Sequence, residues 1–272
     1  MPAFLEITTE RLNRLIGTPS CPALIDVRND EDFDADPRMI PGSVRRDYRD
    51  TSWMEAFEGD AAVIICHHGA KLSHGVAAWL RNFGVEAESL EGGIEAWVRQ
   101  GLPVVPMSKL PPSDQQGRTV WVTRSRPKID RIACPWLIRR FVDPRAVFLF
   151  VPASEVEGVA DRFGGVPFDI DADVLWSHRG ELCTFDVMVD EFGLSTDPLR
   201  RLATIVRAAD TARLDLAPEA PGLLAASLGL SRMYTDDLEQ LEAGMLLYDA
   251  FYRWCRDASE ETHNWPSNKK GA

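Results

Sequence analysis

The chain has 272 residues, 45% of them hydrophobic and 26% charged, with a formal net charge of −12. That length and apolar content allow one large domain or two ordinary ones with true cores. The acidic balance argues against a general nucleic-acid or anionic-membrane surface, while leaving room for local basic clusters that bind small anions.

The opening residues "MPAFLEITTE" carry no apolar secretion signal, and no apolar run is long enough to span a bilayer. Up to residue 106, short β-like runs ("PALIDV", "AAVIIC", "EAESL") alternate with helix-like runs ("TTERLNRLIG", "SHGVAAWLRNFG", "GGIEAWVRQG"). Such alternation predicts an α/β domain with a mostly parallel sheet flanked by helices. Proline, serine, glutamine and glycine then gather in "GLPVVPMSKLPPSDQQGRT", which marks a boundary with a linker over 107–118. Beyond it, "TVWVTR" and "AVFLFVP" read as strands around a helix near "WLIRRFV", and from about Leu182 nearly every pattern is helical. This second unit, 119–266, is expected to be a mainly α-helical α+β domain. Asp236 or Thr235 is placed to cap its last helix, and 267–272 is expected to be a disordered tail.

The five cysteines, Cys21, Cys66, Cys134, Cys183 and Cys255, are scattered and show no CxxC pair. That pattern suits reduced thiols in a cytoplasm and argues against a zinc ribbon or finger. Cys66 stands apart because "AAVII" supplies a strand before it and "SHGVAAWLRNFG" a helix after it. In a parallel α/β sheet, that position brings unpaired N–H groups and the positive helix end towards the sulfur. The field favours a nucleophilic thiolate, and the loop amides could cradle an anion beside it. The expected binding loop is therefore His67, His68, Gly69, Ala70, Lys71, Leu72 and Ser73, with Gly69 curling the backbone, Lys71 adding charge and Ser73 capping the helix or holding an oxyanion. A buried small hydrophobe is the competing reading of any single cysteine. His67, His68 and His74 could tune the thiolate or could be plain solvated side chains. Asp26 and Arg28 are expected to pair at the sheet rim, and Trp97 to lie in the core.

From about Leu5 to Pro106 the chain resembles rhodanese-type sulfurtransferases. The residues that carry this are "LIDVR" followed by "MIPGSV", the Cys66 loop, and "LEGGIEAWVRQGLPV". The resemblance implies that Cys66 takes sulfane sulfur from a small donor such as thiosulfate, forming a persulfide that a thiol acceptor or cyanide then discharges. Two departures stand out. Met39 replaces the usual histidine before "IPG", and the 66–73 loop is about one residue longer than in the short sulfurtransferases. A wider loop, as in related phosphatases and arsenate reductases, leaves the substrate open.

From Trp121 to about Pro266 the chain resembles the C-terminal domain of ChrB-type chromate-resistance proteins. The resemblance rests on "WVTRSRPKIDRIACPWLIRRFVDP", "WSHRGELCTFD", "IVRAADTARLDLAPEAPGLLAASLGLSRMYTDD" and "THNWP". It implies an association with chromate resistance, often as a regulator or sensor. In "TRSRPKIDR", an extended backbone would put Arg124, Arg126 and Lys128 on one side, with Arg131 a turn later. Either an oxyanion such as chromate, sulfate or phosphate binds among them, or Asp130 and Asp169 pair with them in a structural network. A second constellation, His178, Glu181 and Cys183, could hold a metal ion with Asp130, Asp210 or His263, His178 and Glu181 sharing a face if helical. Arg179 and Gly180 spoil any clean ligand spacing there, so helix capping with ion pairing competes with it. Cys134 precedes Pro135 at an expected helix start, with core packing as its default role. Glu242 and Asp249 are seven residues apart on the last helix, as ligands or as part of a solvated stripe. Three functions follow: a sulfurtransferase serving chromate or sulfur-oxyanion stress, an oxyanion-sensing regulator without turnover, or chromate reduction by thiols.

Overall fold

A computed structural model describes residues 5–261; His263, the "THNWP" motif and the 267–272 tail lie outside the described residues. The alternating pattern of the first hundred residues folds as β1 (Glu6–Ile7), α1 (Thr9–Leu15), β2 (Ala23–Asp26), α2 (Asp30–Ala35), β3 (Arg38–Met39), β4 (Ser43–Arg45), β5 (Ala61–Ile65), α3 (Lys71–Asn82), β6 (Glu86–Leu90), α4 (Gly93–Arg99) and β7 (Val105–Pro106). Five strands form one sheet in the order β1-β6-β5-β2-β4, all parallel. β3 and β7 pair separately and antiparallel.

Strand β5 shows why this sheet is buried on both faces. Its side chains alternate: Ala62 and Ile64 pack with Val76, Ala77 and Leu80 of α3, whereas Val63 and Ile65 join Leu12, Ile94 and Trp97 on the opposite face. A continuous apolar run is what such a two-sided strand requires.

The second half contains β8 (Val120–Arg124), α5 (Asp130–Phe141), β9 (Val147–Val151), α6 (Val156–Phe163), β10 (Val166–Pro167), α7 (Thr184–Glu191), α8 (Asp197–Asp210), α9 (Ala220–Met233) and α10 (Asp237–Arg253). Its three strands run parallel in the order β10-β8-β9, with α5 as the crossover between β8 and β9. The other described elements of this half are helices, packed around Trp136, whose ring lies 5.4–6.3 Å from Phe141, Phe185, Tyr248 and Tyr252. Asp236 caps α10 by accepting the Leu238 and Glu239 amides, each at 2.9 Å.

Helix α5 starts at Asp130, so Pro135 sits inside it and Cys134 is fully buried rather than at a helix start. Burial pushes the Cys134 thiol well above its ordinary range. Asp249 is buried and not part of a solvated stripe, and its carboxylate is taken up by hydrogen bonds from Trp136 Nε1 and from Arg140 Nε and Nη2, each at 2.8 Å. Glu242 pairs at the surface with Arg139 at 2.5 Å.

The two halves share one apolar cluster running from Ile7, Leu12, Ile16 and Trp97 to Trp121, Phe141 and Tyr252. The Gly42 amide donates to the Phe141 carbonyl at 2.6 Å, and Arg256 reaches the Ile16 carbonyl at 3.4 Å. The 107–118 stretch is tied down, with Lys109 pairing to Glu191 at 2.7 Å and Ser113 bridging to Thr119.

Candidate functional site

Cys66 follows the last residue of β5, at the carboxyl edge of the sheet, and residues 66–70 lead into α3. The loop curls back because Gly69 has φ +65° and Gly93 has φ +59°, and the two backbones touch: a Cβ on Gly93 would lie 2.3 Å from the Cys66 carbonyl oxygen. The Ile94 amide donates to the Cys66 carbonyl at 3.0 Å and the Glu95 amide to the His67 carbonyl at 3.1 Å, which locks the loop onto α4. Within it the Ala70 N–H points at Cys66 Sγ at 3.4 Å. Ser73 Oγ lies 3.2 Å from the same sulfur and donates to the Ala70 carbonyl at 3.0 Å. Cys66 is 4% exposed, with its sulfur among polar atoms and its Cβ side against the apolar cluster under α3.

Beside the loop, Asp26 and Arg28 form a buried pair at 2.6 Å. Arg28 also donates to the Asp36 carbonyl at 2.7 Å and the Arg38 carbonyl at 2.8 Å, so one guanidinium ties β2 to the segment entering β3. At the same sheet edge a cavity of about 350 Å³ is lined by Arg28, Arg45, Arg46 and Arg49 with Asp30 and Asp47. The sequence signal for it, "SVRRDYRD", is an arginine cluster directly after β4.

The second half gathers a different set of groups. His178 Nε2 lies 3.2 Å from Asp169 Oδ1, 3.6 Å from Asp210 Oδ2 and 3.8 Å from Asp130 Oδ2. Asp169 also accepts Thr184 Oγ1 at 2.9 Å and faces Arg131 at 3.2 Å and Arg124 at 3.4 Å. Burial alone would raise the Asp169 carboxyl, but hydrogen bonds from His178 and Thr184 and the two arginines outweigh it and hold it below its ordinary value. Burial raises Asp130 well above the usual carboxylate range, with the charges of Asp210 and Asp169 adding to it. Burial and Asp169 likewise raise Asp210. The hydrogen bond to Asp169 pushes His178 up to about 9, against the opposing effect of burial.

Residues 8–100 match the family model of the rhodanese-like domain, and residues 121–255 match that of the ChrB C-terminal domain. Thiosulfate sulfurtransferase GlpE of Actinobacillus succinogenes is 34% identical over 108 residues, covering 38% of this chain and 91% of that protein. The chain joins a rhodanese-like domain to a ChrB C-terminal domain. Protein ChrB of Cupriavidus metallidurans is 37% identical over 143 residues, 52% of this chain, which spans only 42% of that relative's length. Among solved structures, a rhodanese-like domain protein from Staphylococcus aureus is 29% identical, covering 34% of this chain and 89% of that one, with a TM-score of 0.30.

In the rhodanese-like domain the residues expected around Cys66 divide. Gly69 and Ala70 shape the loop, while Lys71, Leu72 and Ser73 already belong to the first turn of α3, so the helix starts earlier than its sequence pattern suggests. Ser73 is therefore not the cap; Ala70 occupies that position without a side-chain bond. Lys71 is exposed and Leu72 packs partly under the helix. His67 and His68 stack edge-to-face with centroids 4.3 Å apart. His68 pairs with Glu95 at 3.0 Å and His74 with Glu6 at 2.8 Å, both at the surface. Trp97 is fully buried, its Nε1 donating to the Pro103 carbonyl at 2.8 Å.

In the ChrB C-terminal domain the four expected cations do not share a face, because β8 ends at Arg124 and Arg126 turns at φ +58°. Arg126 donates to the carbonyls of Ser231 and Tyr234, Lys128 is exposed, and Arg124 with Arg131 flanks Asp169. His178 and Glu181 do not share a helical face either: residues 179–182 make a tight turn with Gly180 at φ +64°, and α7 starts only at Thr184. Glu181 is exposed and outside the His178 cluster. Cys183 is the N-cap of α7, its N–H donating to Asp186 at 3.1 Å and its sulfur accepting in return, and burial pushes its thiol well up. The ring of carboxylates comes instead from α5, the loop after β10, and the end of α8.

Proposed function

We propose that the rhodanese-like domain is a sulfurtransferase whose nucleophile is Cys66. The observation that carries this reading is the Ala70 N–H and Ser73 Oγ converging on one sulfur at a strand-to-helix junction. Cys66 Sγ attacks the outer sulfur of thiosulfate; the S–S bond of the donor breaks and sulfite leaves with its electron pair. Cyanide or a thiolate then attacks the outer sulfur of the Cys66 persulfide and regenerates the Cys66 thiolate. As the sulfur carries charge, Ala70 N–H and the amino end of α3 face it, and Ser73 Oγ can turn its proton from the Ala70 carbonyl to the thiolate. Arg45 and Arg49 pair with Asp30 and Asp47, which leaves Arg46 as the cation that the same sheet edge can offer a dianionic donor. The likeness of the second domain to ChrB supports a role in chromate resistance, where chromate mimics sulfate in charge and shape.

A thiosulfate–cyanide assay on the full chain tests this directly. Thiocyanate is expected with the native protein and its loss with Cys66→Ser; turnover that survives the substitution would refute the assignment.

A further inference from the structure

We infer that the ChrB C-terminal domain binds one divalent first-row transition-metal ion between Asp130, His178 and Asp210, a site independent of the Cys66 reading. One ligand atom from each of these residues lies within 4.8 Å of the other two. An ion at about 2.1 Å from its ligands holds them about 3.0–3.4 Å apart at octahedral or tetrahedral angles. His178 Nε2 is already 3.6 Å from Asp210 Oδ2 and 3.8 Å from Asp130 Oδ2, so each of these two edges needs to shorten by less than about 1 Å to reach ligand spacing.

Proximity of acids alone would not distinguish a metal site from a crowded surface. The deciding group is Asp130, which is 0% exposed. Its Oδ2 accepts the Thr184 amide at 2.7 Å, while Oδ1 of the same carboxylate is buried without a hydrogen-bond partner among the described residues. A buried carboxylate oxygen with no donor, beside further carboxylates, has to keep a proton or face a cation, and a bound metal ion takes the place of that proton. Arg131 and Arg124 do not fill that role, because both are turned to Asp169. Asp169 is itself held by Thr184, Arg124 and Arg131, and its contact with His178 runs to the same Nε2, so metal binding there replaces that hydrogen bond.

The donor chemistry narrows the ion. One imidazole nitrogen and carboxylate oxygens, with the nearby Cys183 sulfur turned into its helix cap, suit Mn²⁺, Fe²⁺ or Zn²⁺ and not a thiophilic ion such as Cu⁺. Asp130 forms the floor, whereas the His178 and Asp210 side chains are 43% and 20% exposed, so the open coordination positions face solvent.

Mn²⁺ added to chelator-stripped, full-length protein provides the test, read by calorimetry and by electron spin-echo modulation from an imidazole nitrogen. One Mn²⁺ per chain is expected, with a higher melting temperature and a nitrogen signal that disappears in H178A. Affinity should fall by at least about 100-fold in H178A and in D210N, which alter partly exposed side chains, and stay within about twofold in E181Q. No saturable binding by about 1 mM Mn²⁺, or equal binding in native protein, H178A and D210N, would overturn the site. So would binding lost in E181Q but kept in D210N.

Discussion

Cys66 differs from the other cysteines in what its sulfur touches. Burial pushes Cys21 up to about 12 and Cys255 up to about 11, and raises Cys134 and Cys183 well above their ordinary range. None of those thiols ionises near neutral pH, and the nucleophile in alkylation is the thiolate. Iodoacetamide at pH 7–8 should therefore leave those four intact by peptide mapping, while the proposed nucleophilic role of Cys66 predicts that it is labelled; labelling of Cys134 ahead of Cys66 would contradict this picture. At this scale the sequence was readable wherever chemistry follows local order. The Asp26–Arg28 pair spans two residues and Trp97 lies in a helical apolar pattern, and both were expected where they are found. The basic segment was not readable, because a positive φ at Arg126 breaks the period of two on which its shared face depended.

Elements position the two centres by different means. The Cys66 loop is local, set by β5, α3 and the Gly69–Gly93 contact, and its strand bounds and the Gly84 terminator of α3 follow from the pattern of apolar and glycine residues. The His178 cluster is assembled from α5, the loop holding Asp169, and the end of α8. Sequence spacing carries no trace of such long-range convergence, although Asp130, Asp169 and Asp210 could each be named as candidate partners. Proline 135 also misleads, suggesting a helix start where α5 has already made its first turn. The packing of α5 on α10 rests on Asp249, which satisfies Trp136 and Arg140 together. Replacing it by alanine leaves a buried indole N–H and a half-buried guanidinium unpaired. Asp249→Ala should lose about 3 kcal/mol in urea unfolding, and a loss under about 0.5 kcal/mol would show that the contact is incidental.

Over the whole molecule, the two family matches meet in one continuous apolar cluster. Phe141 receives the Gly42 amide at its carbonyl, and Ile16, Trp97, Trp121 and Tyr252 belong to the same buried set. The proline-rich stretch between the matches reads in sequence as a linker, yet its contacts with Glu191 and its own turn hold it against the fold. Such sharing predicts cooperative opening: hydrogen exchange of β5 and α5 amides in rising denaturant should merge at a single global free energy. Separate limits for the two halves would mean that the cores are energetically independent.

The assignment of Cys66 as sulfur carrier is tested most directly by intact-mass analysis after incubation with thiosulfate in the absence of reductant. The native chain should gain the mass of one sulfur atom, lose it on adding cyanide, and show no gain as Cys66→Ser. A native chain that gains no sulfur, or a Cys66→Ser chain that gains as much, would contradict the account.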